Sequence, residues 1–213
     1  MPTALWIVSG TAFIEEAKAS AASLERTMPG IRRKIFEIPR ISDRWYLDCC
    51  SALAGLLPWI ADDEILYLDS DVCFLQAAPE ILQLLQRFDF VAAHAAGRIT
   101  APTQASVPAS FPEFNVGVIA MRNNARIQRL WRYVADNLEC RPDVYGNNDQ
   151  APLREALWHD PTIRIATLPP EYNCRFIFGA FVSGPVKVLH GRGDHEAVER
   201  SINDSEGMRL WAP

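Results

Sequence analysis

The chain has 213 residues, enough for one domain with a substantial core, and its 49% apolar and 22% charged content is that of an ordinary globular protein. Its net charge of -5, with no basic block, argues against a nucleic-acid surface. No run approaches the ~18 apolar residues of a membrane span, and the start of the chain lacks the basic region of a signal peptide.

Five cysteines (Cys49, Cys50, Cys73, Cys140 and Cys174) are odd in number and show no CxxC spacing. They read as free thiols, not as a disulfide framework or a zinc site, and the expected location is cytoplasmic.

Leu5-Trp6-Ile7-Val8 is a short apolar strand, ended by Ser9-Gly10-Thr11. From Phe13 to Met28 the chain reads as helix, with Ile14, Ala17, Ala21 and Leu24 on one stripe, and Pro29-Gly30 stops it. Arg33 to Ile38 alternates as a second strand, so strand, helix and strand predict a right-handed parallel unit. A second helix is expected from Ser42, as its N-cap, to Pro58.

Ile65-Leu66-Tyr67-Leu68 then runs directly into Asp69-Ser70-Asp71, and Val72-Cys73-Phe74-Leu75 resumes the apolar run. A continuous apolar run of this kind reads as a strand buried on both faces, as in a parallel sheet. Its carboxylates would stand outside the carboxyl end of the strand, where such sheets place ligands. Taken alone, Asp69 and Asp71 serve equally as turn or capping residues. Two carboxylates one residue apart are also hard oxygen ligands for a divalent cation.

Further strands are expected at 90–94, 114–121, 163–168 and 186–193, with helices opening at Pro79, at Asn124 and after Gly146-Asn147-Asn148-Asp149, and a helical tail from Glu196. Residues 95 to 112 have no period and are rich in Ala, Ser, Thr and Pro, which is the composition of a binding or lid loop. Gly117 in its strand marks a bulge, and a histidine, His190, ends the last strand.

Asp69, Asp71 and His190 together offer the mixed oxygen and nitrogen set that suits Mn²⁺. The chain resembles the glycogenin-like, retaining sugar-nucleotide glycosyltransferases of family 8, which have the GT-A fold. Leu66-Tyr67-Leu68-Asp69-Ser70-Asp71 is similar to that family's DxD motif, and Phe114-Asn115-Val116-Gly117-Val118 to its FNxGV strand. Asn148-Asp149-Gln150 matches its DQ motif, Leu168 to Asn173 its LPxxYN segment, and Val188-Leu189-His190-Gly191 the strand ending in a metal histidine. The motifs occur in the family's order over most of the chain.

The resemblance implies an α/β, Rossmann-like, mixed but mostly parallel sheet flanked by helices, forming one domain over 1–213. Residues 1–94 would be the nucleotide-binding half, and 95–213 would hold the lid loop, the sugar and acceptor half and the tail. It implies transfer of a hexose from a UDP-sugar, with retention, to a saccharide, protein or small-molecule acceptor. Asp69, Asp71 and His190 would hold Mn²⁺ (or Mg²⁺) against the diphosphate, flanked by Ser70. Val8, Ser9, Gly10 and Thr11 would line the base and ribose, with Asn115 and Gly117 nearby and Arg44 reaching sugar and phosphate. Asp149 and Gln150 would face the reacting sugar.

One departure stands out. His190-Gly191-Arg192-Gly193 lacks the Lys-Pro-Trp element with which the family grips the diphosphate, and Arg192 is the residue in its place. A non-catalytic nucleotide-sugar-binding domain is therefore a second reading. A haloacid-dehalogenase-type phosphatase is a third, and it would need a later lysine and a further acidic pair; the sole lysine after Asp71 is Lys187.

Overall fold

The computed structural model describes residues 1–95, 107–205 and 207–212. Most of the expected lid loop, residues 96–106, lies outside the described residues.

The chain begins with β1 (Thr3–Val8), α1 (Thr11–Thr27) and β2 (Arg32–Glu37), and β1 and β2 pair in parallel from Thr3↔Arg32 to Val8↔Glu37. Then come α2 (Trp45–Leu56), a 3-10 turn over Leu57–Trp59, β3 (Glu64–Leu68) and β4 (Val72–Phe74). A short α3 (Glu80–Gln83) leads to β5 (Phe90–His94), and β6 (Phe114–Arg122) to α4 (Ala125–Cys140), α5 (Pro142–Tyr145) and α6 (Gln150–His159). The last part holds β7 (Ile165–Leu168), β8 (Cys174–Arg175), β9 (Ala180–Val182), β10 (Val188–His190), α7 (His195–Ile202) and β11 (Arg209–Trp211).

The main sheet has the order β2-β1-β3-β6-β5-β7, and β6 alone runs against its neighbours. This is the expected mixed, mostly parallel α/β sheet. Period-two alternation sorts its side chains onto two faces. Leu5, Ile7, Ile65 and Tyr67 pack with α2, α4 and α6, whereas Ala4, Trp6, Val8, Leu66 and Leu68 pack with α1. The α1 stripe works as its spacing predicts, with Ala17 and Leu24 buried and Ile14 and Ala21 against the same cluster.

Two smaller sheets, β4-β10-β8 and β11-β9, sit beyond the main one. Leaving β3, the chain crosses through Asp69-Ser70-Asp71 into β4, so the turn joins two sheets instead of continuing one strand.

One expected helix start moves. Ser42 is not the cap of α2, which begins at Trp45. Its hydroxyl accepts from the Arg44 N–H at 3.0 Å, and Asp48 accepts from the N–H groups of Ile41 and Ser42, both at 3.0 Å. These local bonds give the backbone a turn that competes with helix.

Candidate metal and nucleotide site

Asp69 and Asp71 flank the turn that leaves β3, and its backbone is fixed from both sides. The Asp69 N–H donates to the Gly117 carbonyl at 3.0 Å, and the Asp71 carbonyl accepts from the Gly191 N–H at 3.0 Å. Antiparallel pairing of β10 with β4 sets His190 opposite Val72, one residue past Asp71. His190 Nε2 then lies 3.4 Å from Asp69 Oδ2 and 3.5 Å from Asp71 Oδ1. One ligand atom from each of the three side chains falls within 4.8 Å of the others.

Gly117 makes this approach possible. The β5–β6 register jumps from Ala92↔Ile119 to His94↔Phe114, and the bulge takes in Asn115 and Gly117. The sequence expectation of a bulge holds, and it has a second purpose: a β-carbon at residue 117 would lie 1.9 Å from the His190 ring.

Behind the imidazole lies a file of buried amides. His190 Nδ1 is 2.9 Å from Asn173 Oδ1, and Asn173 Nδ2 donates to Asn115 Oδ1 at 2.9 Å. Asn115 Oδ1 also accepts from the Gly117 N–H at 3.0 Å. On its other side Asn115 Nδ2 donates to Gln150 Oε1 at 3.4 Å, and Gln150 Nε2 to Glu113 Oε1 at 3.5 Å. All five side-chain-bearing residues in this file are buried.

The electrostatics match a cation site. Burial works against the His190 cation, but Asp69 and Asp71 outweigh it and raise its pKa. Burial raises Asp71, and His190 and Arg192 more than reverse this, holding its carboxyl below the usual range. Asp149 is pushed up to about 7, first by burial and then by the charge of Asp69. Tyr46 is raised to about 12 by burial and by Asp149 and Asp69.

A cavity of about 350 Å³ opens at the side chains of Asp69, Asp71 and His190. Of the expected binding residues it is lined by Val8, Ser9, Asp69, Ser70, Asp71, His190 and Arg192. Gly10, at φ 87°, precedes α1 and Thr11 begins it, and neither is among the lining residues. Arg44 lies elsewhere: its guanidinium donates to the carbonyls of Gly146, at 2.8 Å, and Leu138, tying the start of α2 to the end of α4.

The arginines that do line the cavity with Arg192 are Arg40 and Arg175, neither picked out in the sequence. Arg175 Nε is buried with no hydrogen-bond partner among the described residues. Phe13, Trp45 and Tyr46 add aromatic walls. Arg192 is held by Glu16, at 2.7 and 3.1 Å, over the Phe13 ring.

Asp149 and Gln150 open α6 and are buried. The first-turn hydrogen bond comes from Asn148, whose Oδ1 accepts from the Gln150 N–H at 2.9 Å, and the Asp149 side chain makes no capping bond.

No family model and no curated protein sequence matches the chain. Solved structures do. The galactosyltransferase LgtC, in complex with donor and acceptor sugar analogs, is 16% identical with a TM-score of 0.64, covering 90% of this chain and 87% of its own. Mouse xyloside xylosyltransferase 1, in its apo form, is 12% identical with a TM-score of 0.61, covering 90% and 98%. The apo glycosyltransferase GlyE of Streptococcus pneumoniae TIGR4 is 15% identical with a TM-score of 0.60 over 90% of this chain, which spans 54% of GlyE. Across 90% of its length, this chain has the GT-A fold of those glycosyltransferases.

Proposed function

We propose that the protein is a metal-dependent glycosyltransferase that moves a hexose from a nucleoside diphosphate sugar, most simply a UDP-sugar, to a saccharide, protein or small-molecule acceptor with retention. The observation that carries this reading is the Asp69, Asp71 and His190 cluster at the carboxyl end of β3, at the mouth of a cavity in a GT-A fold.

The residues fit a divalent ion. Two carboxylates and an imidazole nitrogen are a donor set that Mn²⁺ accepts. His190 Nε2 has no partner but those carboxylates among the described residues, and Gly117 leaves the ring the space it occupies. When bound, the ion would neutralise charge on the departing diphosphate.

The protein's own groups would do the rest. Residues 1–94 supply the nucleotide side, where Val8 and Ser9 meet the nucleoside and Trp45 and Tyr46 offer aromatic surface to the base. Arg175 and Arg40 take the part of the missing lysine, since an arginine with an unpartnered Nε is suited to phosphate oxygens. Asp149 faces the sugar. A carboxyl with a pKa near 7 is a charge that the protein holds at a cost, and a developing positive charge on the anomeric carbon would lower that cost.

The reading as a non-catalytic binding domain is favoured by the loss of the Lys-Pro-Trp element and by the capture of Arg192 by Glu16. The phosphatase reading lacks its lysine, because Lys187 Nζ is paired with Glu80 at 2.7 Å. A panel of UDP-sugars assayed for UDP release, with Mn²⁺ and with EDTA, tests the proposal. Metal-dependent release from at least one donor is expected. Tight UDP binding with no release from any of them, acceptors included, would leave the binding domain as the function.

A further inference from the structure

His190 presents one of its two nitrogens to the carboxylates, and only the unprotonated nitrogen of a neutral imidazole can ligate a metal. Which nitrogen carries the hydrogen is decided by what the other one meets. Here the deciding contacts can be followed to a group that cannot reverse. The Gly117 backbone N–H can only donate, and it donates to Asn115 Oδ1 at 3.0 Å. The Asn115 oxygen is therefore turned toward the bulge, and the Asn173 atom 2.9 Å from it must be the donor Nδ2, since two oxygens would repel there. With Nδ2 committed, Asn173 turns Oδ1 to the imidazole, 2.9 Å from Nδ1. An acceptor at Nδ1 requires the hydrogen there. The carboxylates of Asp69 and Asp71 pull the other way, but they stand farther from Nε2, at 3.4 and 3.5 Å, and are partly open to water. In the neutral ring the buried 2.9 Å contact therefore keeps the hydrogen on Nδ1 and leaves Nε2 bare.

We infer that Asn115 and Asn173 are positioning residues that transmit the direction of the Gly117 N–H to His190 and fix its Nδ1–H tautomer, so that Nε2 is ready to ligate a divalent cation. The far half of the file continues in the same sense, through Gln150 Oε1 and Nε2 to Glu113 Oε1. Residue 117 thus serves twice: the missing β-carbon, which only glycine offers, admits the ring, and the backbone N–H, which any residue but proline would supply, sets the polarity of the amides behind the ring. None of these residues other than His190 touches the metal position. The inference rests on the reading of His190 as a metal ligand, but the tautomer is measured without metal, so the two can fail separately.

The experiment is long-range ¹H–¹⁵N correlation NMR of the metal-free protein at alkaline pH, together with Mn²⁺ affinity by electron paramagnetic resonance. In the wild type, Nδ1 should carry the hydrogen and Nε2 should be bare. Asn173→Leu, which removes the acceptor, and Asn115→Leu, which never touches the imidazole, should each mix the two tautomers and weaken Mn²⁺ about tenfold. Asn115→Asp keeps an acceptor for both donors and should retain the wild-type tautomer. An Nε2–H tautomer in the wild type overturns the inference without any variant, and so does an unchanged tautomer and affinity in folded Asn173→Leu. A wild type with the Nδ1–H tautomer but no Mn²⁺ binding would support the relay and remove the metal reading alone.

Discussion

The imidazole of His190 occupies the volume that a side chain on residue 117 would need, since a β-carbon there would lie 1.9 Å from Cε1 and 2.6 Å from Nε2. Gly117→Ala is therefore predicted to overpack the site, at about 1–3 kcal/mol. It should also drive the ring away from the two carboxylates. Thermal melts with and without Mn²⁺ check this: the wild type should gain stability from the ion, and the variant should gain almost none. A full Mn²⁺-induced rise in the alanine variant would refute the steric account.

Asp71→Asn removes one charge from the cluster, while the backbone carbonyl that receives Gly191 N–H stays in place. The fold should survive. UDP binding, measured by calorimetry in Mn²⁺, should fall at least tenfold toward the level the wild type shows in EDTA. If the wild type binds UDP equally well in EDTA, the cluster does not serve the nucleotide.

Asp149 yields a prediction with two parts. Its folded-state pKa of about 7 lies above the ordinary carboxyl value of roughly 3.9, so burying its ionised form costs stability. That cost is absent below about pH 4, grows between pH 4 and 7 and is complete above pH 7. Asp149→Asn should thus raise Tm of the metal-free protein at pH 8 and leave it unchanged near pH 4. Asn148 supplies the first-turn hydrogen bond of α6, and asparagine caps about as well as aspartate, so a capping loss does not obscure the comparison. The same variant should lose at least ~10²-fold in kcat. Normal turnover would mean that Asp149 has no part in the chemistry.

At the far end of the sheet, Asp89 accepts from Arg164 through N at 3.1 Å, Nε at 3.0 Å and Nη2 at 3.3 Å. The Arg164 hydrogen bonds outweigh burial and hold the Asp89 carboxyl below the usual range. A depressed acid stabilises the fold above its unfolded pKa of about 3.9, and that stability is lost as pH falls through its folded value. Asp89→Asn should cost about 1–2 kcal/mol at neutral pH. The difference from wild type should shrink in melts taken below about pH 4, and a difference independent of pH would show that the charge is irrelevant.

Legibility in the sequence followed the range of the forces involved. β5 was readable to the residue, because Phe90-Val91-Ala92-Ala93 is an apolar run between Asp89 and His94. β8, β9 and β11 were invisible: two or three residues carry no period, and they exist because β10 and each other lie alongside. Asp69, Asp71 and His190 announced themselves at strand ends, whereas Arg40 and Arg175 carry no local pattern. Arg175 reaches the cavity only because β8 pairs with β10, setting it beside His190. Arg44 lies in the stretch where a basic residue was expected, and its guanidinium donates to the carbonyls of Leu138 and Gly146, which no local pattern foretells. Ser42 is held in a turn by Asp48, six residues on, whose carboxylate accepts from its N–H and hydroxyl, and α2 starts at Trp45 with no side-chain cap.

The small sheet has a kinetic consequence. β4 closes against β10, and Arg192 just past it meets Glu16 across 176 residues of chain. Contacts between such distant segments are slow to form, because the loop-closure entropy must be overcome before any contact offsets it. During synthesis, β1, β3 and the helices around them can collapse while the cluster still lacks its histidine. Until β10 has emerged, Asp69 and Asp71 cannot meet His190, so a nascent chain arrested before β10 would lack the cluster of these three side chains.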